Sequence, residues 1–157
     1  RTETMDLILW RHAEAHELSE TGTDLERQLT PRGEKQAARM AAWLDRQLPD
    51  GVRVLCSPAR RCEQTVQALG RKYKLRAELA PDGRAEDLLA VAGWPKTRLP
   101  VLVVGHQPTL GQTLAQLLGL QASECPVRKG AVWWVRSRER EGALQTVVVT
   151  VQTPEMV

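Results

Sequence analysis

The sequence predicts one α/β domain in which helices cover both faces of a mostly parallel, mixed sheet of about six strands, a three-layer α/β/α sandwich. Three observations carry this expectation. Short apolar runs alternate with longer amphipathic segments along the chain. Runs such as "DLILW" and "PVLVVG" are apolar at consecutive positions, as strands buried on both faces require. Helix-start signals follow soon after several of the runs end.

Taken in order, the first strand is expected over 6–10, "DLILW". The segment "TPRGEKQAARMAAWLDRQL" starts a helix with Thr30 as N-cap and Pro31 in the first turn, and its period places Ala37, Met40, Ala41 and Leu44 on one face. A second strand is expected at 53–57, "RVLCS". Ser57 and Pro58 then repeat the start signal for a helix through "SPARRCEQTVQALGRKY". A weaker strand at 75–79, "LRAEL", precedes a short helix at 84–92. The fourth strand, 100–105, runs into a helix over "QPTLGQTLAQLLG" that stops at Gly119. Strands at 131–136 and 144–152 close the pattern as a hairpin joined by "SREREG". Trp133 and Trp134 are adjacent in the first of these and must face opposite sides. The domain is expected over 5–157, with 1–4 a disordered or appended N-terminus.

Composition excludes several classes. With 157 residues, 42% hydrophobic and 26% charged, the chain can bury a core and does not resemble disordered or fibrous sequences. No apolar run approaches the roughly 20 residues of a membrane span, and no signal peptide is evident, so a soluble, cytoplasmic monomer is expected. Cys56, Cys62 and Cys125 are odd in number and lack metal-ligand spacing, which argues against a disulfide framework and against zinc; Cys56 and Cys62 read as small core residues. A net charge of +3 raises the question of nucleic acid. The basic residues are scattered and interleaved with few aromatics, and no nucleic-acid partner is expected.

The polar residues fall in a telling place. Arg11 and His12 follow the first strand, "SPARR" follows the second, and Gly105-His106 follows the fourth. Ligands of open α/β sheets bind beyond the carboxyl ends of strands, so distant segments are aimed at one rim. Two of them also open helices, whose N-termini favour anions. An apolar run that ends in Arg11 and His12 requires a negative partner, because unpaired buried charge is costly. Arginine forks match phosphate oxygens and remain charged when desolvated, so phosphate is the natural occupant.

In that order, "LILWRHAEA", "LTPRGEKQA", "CSPARRCEQT" and "VLVVGHQPTLG" resemble the motifs of the histidine phosphatase superfamily, the phosphoglycerate mutase-like branch of α/β folds. The match runs from about Leu7 to Gly119, and the "RQLT" and "GHQP" details are most similar to SixA-type phosphohistidine phosphatases. The resemblance implies His12 as nucleophile, Arg11 and Arg61 as phosphate-binding cations, and His106 as the second histidine, with no metal and no cofactor. The register of Ser57, Gln64 and Thr65 puts the family arginine at Arg61 rather than Arg60. Ser57 and Arg27 are further substrate-binding candidates, Arg27 because it matches an arginine before the Leu-Thr motif. His16 reads as a rim residue outside the chemistry.

The chain departs from the wider family in its general acid. Gln107 follows His106, and Asp82, Glu86 and Asp87, in "PDGRAEDLLA", lack the expected context and read as cap or solvated-face charge. An imidazole leaves phosphorus more readily than an alkoxide and needs an acid less. The missing acid and the short segment between Thr65 and Pro100, which leaves the rim without a lid, favour a histidine-phosphorylated signalling or phosphotransfer protein as substrate. The alternatives are a small-molecule phosphomonoesterase with Asp82, Glu86 or Asp87 as acid, and a non-catalytic phosphoprotein-binding module.

Overall fold

The structure, a computed structural model, describes residues 4–157. Six strands, β1 (Thr4–Arg11), β2 (Arg53–Cys56), β3 (Lys74–Leu75), β4 (Val101–Gly105), β5 (Val132–Arg140) and β6 (Ala143–Gln152), form one sheet in the order β3-β2-β4-β1-β5-β6. The first four are parallel, while β5 runs antiparallel to both β1 and β6. Four helices, α1 (Pro31–Gln47), α2 (Arg60–Gln67), α3 (Ala85–Ala92) and α4 (Thr109–Leu118), complete the three layers.

Alternation along the buried strands divides the core. Ile8, Trp10, Val54, Leu102 and Val104 pack with Met40, Leu44 and Val66 of α1 and α2. Leu7, Leu9, Leu55, Val101 and Val103 face the other way, onto Leu88, Leu110 and Leu114 of α3 and α4. Trp133 joins this second layer and Trp134 the first, on opposite faces as adjacent strand residues must be. Among the described residues no helix is long and apolar enough to cross a membrane.

α1 follows its expectation closely. Thr30 Oγ1 accepts from the Gly33 amide at 3.0 Å, Pro31 occupies the first turn, and Ala37, Met40, Ala41 and Leu44 are buried. Elsewhere the boundaries differ for identifiable reasons. β1 begins at Thr4, paired with Arg138, so this residue of the supposed tail belongs to the sheet; residues 1–3 lie outside the described ones. Ser57 does not cap α2. Its amide still donates to Val104 O in the sheet, Ala59 is extended, and the helix begins at Arg60 and ends well before Tyr73, with Gly70 in the left-handed region (φ 71°). The expected strand at 75–79 is only the two-residue β3 at the sheet edge, followed by a 3-10 turn at Ala77–Leu79 that buries Leu79. α4 starts at Thr109 rather than Gln107, and Gln107 Oε1 instead accepts from Gly111 N. The hairpin strands extend through "SRER" to a two-residue turn at Glu141 and Gly142, both at positive φ (54° and 79°), the geometry that matches strand twist.

Gly33 holds the loop after β1 against α1. A Cβ there would stand 2.0 Å from the Glu14 carbonyl oxygen, which no local adjustment relieves. Gly33→Ala is expected to cost about 3 kcal/mol in chemical denaturation, whereas Gly51→Ala, whose Cβ would meet only Leu99 at 3.5 Å, should stay within about 0.5 kcal/mol of the parent. Equal midpoints for the two variants would remove this packing argument.

Candidate active site

The register β2-β4-β1 sets three strand ends side by side: Arg11 pairs with Gly105 and Cys56 with Val104. The residues that follow them, His12, Ser57 and His106, therefore emerge together at the carboxyl rim. The His12 and His106 rings lie 5.3 Å apart, tilted by 58°. His12, Arg61 and His106 are all buried.

The loop after His12 is held by three side chains on its backbone and by Thr30 on the Glu14 carboxylate. Ala13 N donates to Thr65 Oγ1 at 3.1 Å, and Thr65 Oγ1 donates back to Arg61 O. Glu14 N donates to Gln36 Oε1, and Thr30 Oγ1 donates to Glu14 Oε2. Leu29 N donates to Gln64 Oε1 at 2.7 Å. Gln36, Gln64, Thr65 and the Thr30 cap thus act on the loop that carries His12.

His12 Nδ1 lies 2.8 Å from Ala13 O. A carbonyl only accepts, so Nδ1 carries the proton and Nε2 keeps its lone pair. Burial, reinforced by His106, Arg61 and Arg11 and opposed by the Ala13 bond, pushes the His12 pKa down to about 3. His106 is likewise pushed down to about 3, by burial first and then by Arg61 and Arg11, with Asp24 opposing. Both rings are neutral at ordinary pH.

His106 Nε2 is 2.7 Å from Ser57 Oγ, and its Nδ1 is 3.4 Å from Arg61 Nη2. A guanidinium only donates, so His106 Nδ1 accepts from Arg61 and Nε2 carries the proton, which it donates to Ser57 Oγ. Arg11 Nη1 donates to Val127 O at 2.9 Å, and burial followed by the nearby Arg61 lowers its pKa. The Nε atoms of both Arg11 and Arg61 are buried without an acceptor. Two guanidiniums beside two neutral imidazoles make a pocket that favours an anion with several oxygens.

Of the two adjacent arginines, Arg61 points inward, whereas Arg60 is half exposed and 3.6 Å from Glu26. Arg27 bonds the rim rather than the rings: Nε donates to Asp24 Oδ1 at 2.9 Å and Nη1 to His16 O at 2.7 Å. The His16 ring is exposed, and only its backbone serves this arrangement. Cys62 is a fully buried core residue and also touches His106 Nε2 at 3.4 Å; burial raises its thiol to about 12, so it stays protonated. Asp82 is exposed, Glu86 pairs with exposed Arg84, and Asp87 Oδ2 accepts from Arg84 N at the start of α3. Among the described residues none of these three hydrogen bonds to His12, Arg61 or His106. No group of three or more His, Cys, Asp or Glu among those residues could hold a metal ion.

Sequence reasoning missed Asp24. It lies in a 3-10 turn at Asp24–Glu26, where Oδ2 accepts from Arg61 Nη2 at 3.1 Å and its carbonyl accepts from Arg61 Nη1 at 2.9 Å. The carboxylate thus pairs with Arg61 of α2 and not with the end of β1, where Arg11 bonds the Val127 carbonyl and His12 is neutral. Its signal was local only in part: an acid three residues before Arg27 in "DLER".

With this geometry in place, the comparisons are specific. A family model described as the histidine phosphatase superfamily (branch 1) matches residues 7–88. The chain is 32% identical over 124 residues to the phosphohistidine phosphatase SixA of Escherichia coli, covering 72% of this chain and 74% of that one. It is 29% identical over 130 residues to a phosphohistidine phosphatase SixA homolog of Haemophilus influenzae, covering 73% and 78%. Among solved structures, the protein histidine phosphatase SixA complexed with tungstate superposes with a TM-score of 0.76 at 26% identity, over 96% of this chain and 97% of that one. The layered sheet is of the phosphoglycerate mutase-like kind, and the chain is a hydrolase that belongs to the histidine phosphatase superfamily.

Proposed function

We propose that this protein removes phosphate from phosphohistidine on another protein, through a covalent phosphoenzyme on His12. The observation that carries the reading is the neutral His12, with Nδ1–H tied to Ala13 O and Nε2 free beside Arg61 and His106. Nε2 attacks phosphorus as the bond to the substrate nitrogen breaks, and the electron pair of that bond stays on the leaving ring. Arg11 and Arg61 offer donors to the equatorial oxygens, where charge accumulates. His106, donating from Nε2 to Ser57 Oγ and accepting from Arg61 at Nδ1, holds that guanidinium toward the phosphoryl oxygens. Water then attacks phosphorus, its oxygen forms the new bond, His12 leaves with its Nδ1 proton, and the proton lost by water passes to phosphate or solvent.

Two facts support phosphohistidine over an ester, the names of the relatives and the placing of the carboxylates, and a third supports a phosphoryl group at the site. The relatives at 32% and 29% identity are named for phosphohistidine. Tungstate, bound by a structural relative, has the shape of phosphate. Asp82, Glu86 and Asp87 are engaged in solvent or at α3, where none touches the histidines. The test is phosphate release from a purified histidine-phosphorylated protein domain beside a panel of sugar, nucleotide and serine phosphates. Release from the protein should exceed that from every ester in kcat/KM by at least about 100-fold, the scale on which a mismatched leaving group without an acid is penalised. Faster turnover of an ester would sink the reading, and binding of the phosphoprotein without release would identify a binding module.

A further inference from the structure

We infer that the Asp24 carboxylate selects the leaving group, by accepting a hydrogen bond from the second ring nitrogen of the substrate's phosphohistidine. This deepens the function proposed above and rests on it.

Asp24 stands at the mouth of the site. Its side chain is 57% exposed, whereas that of Arg61, which it contacts, is 4% exposed. A nucleophile buried as deeply as His12 receives phosphorus from the solvent side, so an in-line leaving group departs toward the mouth. Among the described residues Asp24 is the carboxylate hydrogen-bonded to a cation of the His12 site. Its position is set twice, by Arg61 from α2 and by Arg27 from the end of its own turn, and Arg27 is anchored in turn on His16 O.

Charge decides which role the carboxylate can take. Burial alone would raise its pKa, but the Arg27 and Arg61 hydrogen bonds and charges overcome this and hold it below the usual carboxyl range. An ionised carboxylate cannot protonate an alkoxide; it can accept an N–H. A phosphohistidine ring protonated on its second nitrogen leaves as neutral imidazole, because the P–N electron pair neutralises the ring while that proton stays in place. A carboxylate facing the N–H favours this protonated ring and holds it to higher pH. The same negative charge beside a departing alkoxide is repulsive, so one residue promotes the nitrogen leaving group and disfavours the oxygen one. The charged and titratable groups around Asp24 are Arg61 and Arg60 of α2, Arg27 and Glu26 of its own turn, His106 after β4, and Arg11 and His12 at the end of β1.

The test compares Asp24→Asn with the parent on a phosphohistidine-labelled protein domain and on p-nitrophenyl phosphate, whose leaving group needs no proton, across pH 6 to 9 on a scale read in pKa shifts. Expected is a fall of about 10-fold or more in kcat/KM for phosphohistidine, with its alkaline limb moved down by about one pH unit, and a rise of up to about 3-fold for the aryl ester, whose departing oxyanion the carboxylate repels. Arg27→Met serves as the second variant, because it loosens the turn and keeps the carboxylate. If Asp24 acts only by holding the turn, both variants will lower both substrates by one factor with no movement of the limb, and the inference is overturned. Failure to fold is read separately from thermal melts, and Asp24→Glu, which keeps the charge, should then restore the alkaline limb; if it does not, the inference fails as well. Were the parent itself inactive on phosphohistidine and active on esters, the underlying function would fall rather than the role of Asp24 alone.

Discussion

Replacing His12 with alanine should reduce turnover of the phosphohistidine substrate by at least about 1000-fold, because no other group can take its place as nucleophile. Cys62 touches His106, but its thiol is raised to about 12 and stays protonated. The His106 ring is held between Ser57 and Arg61, with its Nδ1 facing the guanidinium. Rapid denaturation of the parent during turnover should trap phosphate on the peptide that contains His12, in a linkage lost in acid and stable in alkali, as expected of a phosphoramidate. Label on His106 or Cys62, or activity above about one-tenth of the parent in His12→Ala, would remove His12 from the role. The variant is expected to fold. The loop around residue 12 is held through the backbone of Ala13, Glu14 and Leu29, by Thr65, Gln36 and Gln64, and not through the ring.

The second large effect concerns pH and stability. His12 and His106 each titrate near 3 in the fold and near 6.5 once unfolded. Between those values the unfolded chain binds protons that the folded chain does not, so acidification favours unfolding. The stabilising contribution is complete above about 6.5 and is lost as pH falls toward 3, at a rate on the order of 1 kcal/mol per pH unit for each histidine where both states differ fully. Asp24, held below its ordinary range by Arg27 and Arg61, adds in the same direction at the acid end. Denaturation midpoints measured from pH 7.5 to 4, a range spanning the unfolded histidine pKa, should decline steeply below about 6.5. The double variant His12→Asn/His106→Asn should flatten that decline. A parent profile level down to about pH 4 would show that the rings are not held neutral.

The site's electrostatics also explain why its components tolerate one another. The buried Arg61 guanidinium and the partly buried Arg11 would be less stable together if the neighbouring histidines were also charged. Keeping both rings neutral confines the positive charge to Arg11 and Arg61, whose Nε donors are buried without an acceptor. Asp24 offsets part of that charge from the rim, where solvent lowers the cost of its own ionisation.

Much of this protein was written locally in the sequence. The Thr30-Pro31 start, the Ala37, Met40, Ala41 and Leu44 stripe, and the doubly buried runs of β1 and β4 depend on period and capping, which act over a few residues. The convergence of Arg11-His12, Ser57 and Gly105-His106 was legible because a parallel sheet sets its carboxyl ends along one edge. Other features depended on contacts across the fold. That Ser57 bonds His106 rather than capping α2 follows from its amide continuing the β2-β4 ladder, a pairing distant in sequence. That β3 has only two residues follows from the chain leaving the sheet after Leu75 for the 3-10 turn at Ala77–Leu79, which buries Leu79. The inward turn of Arg61 and outward turn of Arg60 depend on where α2 begins, one residue beyond the extended Ala59. Asp24 lies 37 positions from Arg61 on a turn whose placement rests on Arg27 and on the backbone of His16. No local period reports such a contact, because the pairing energy arises only once α2 and the β1–α1 loop have packed; tertiary structure alone decided which carboxylate would meet the buried arginine.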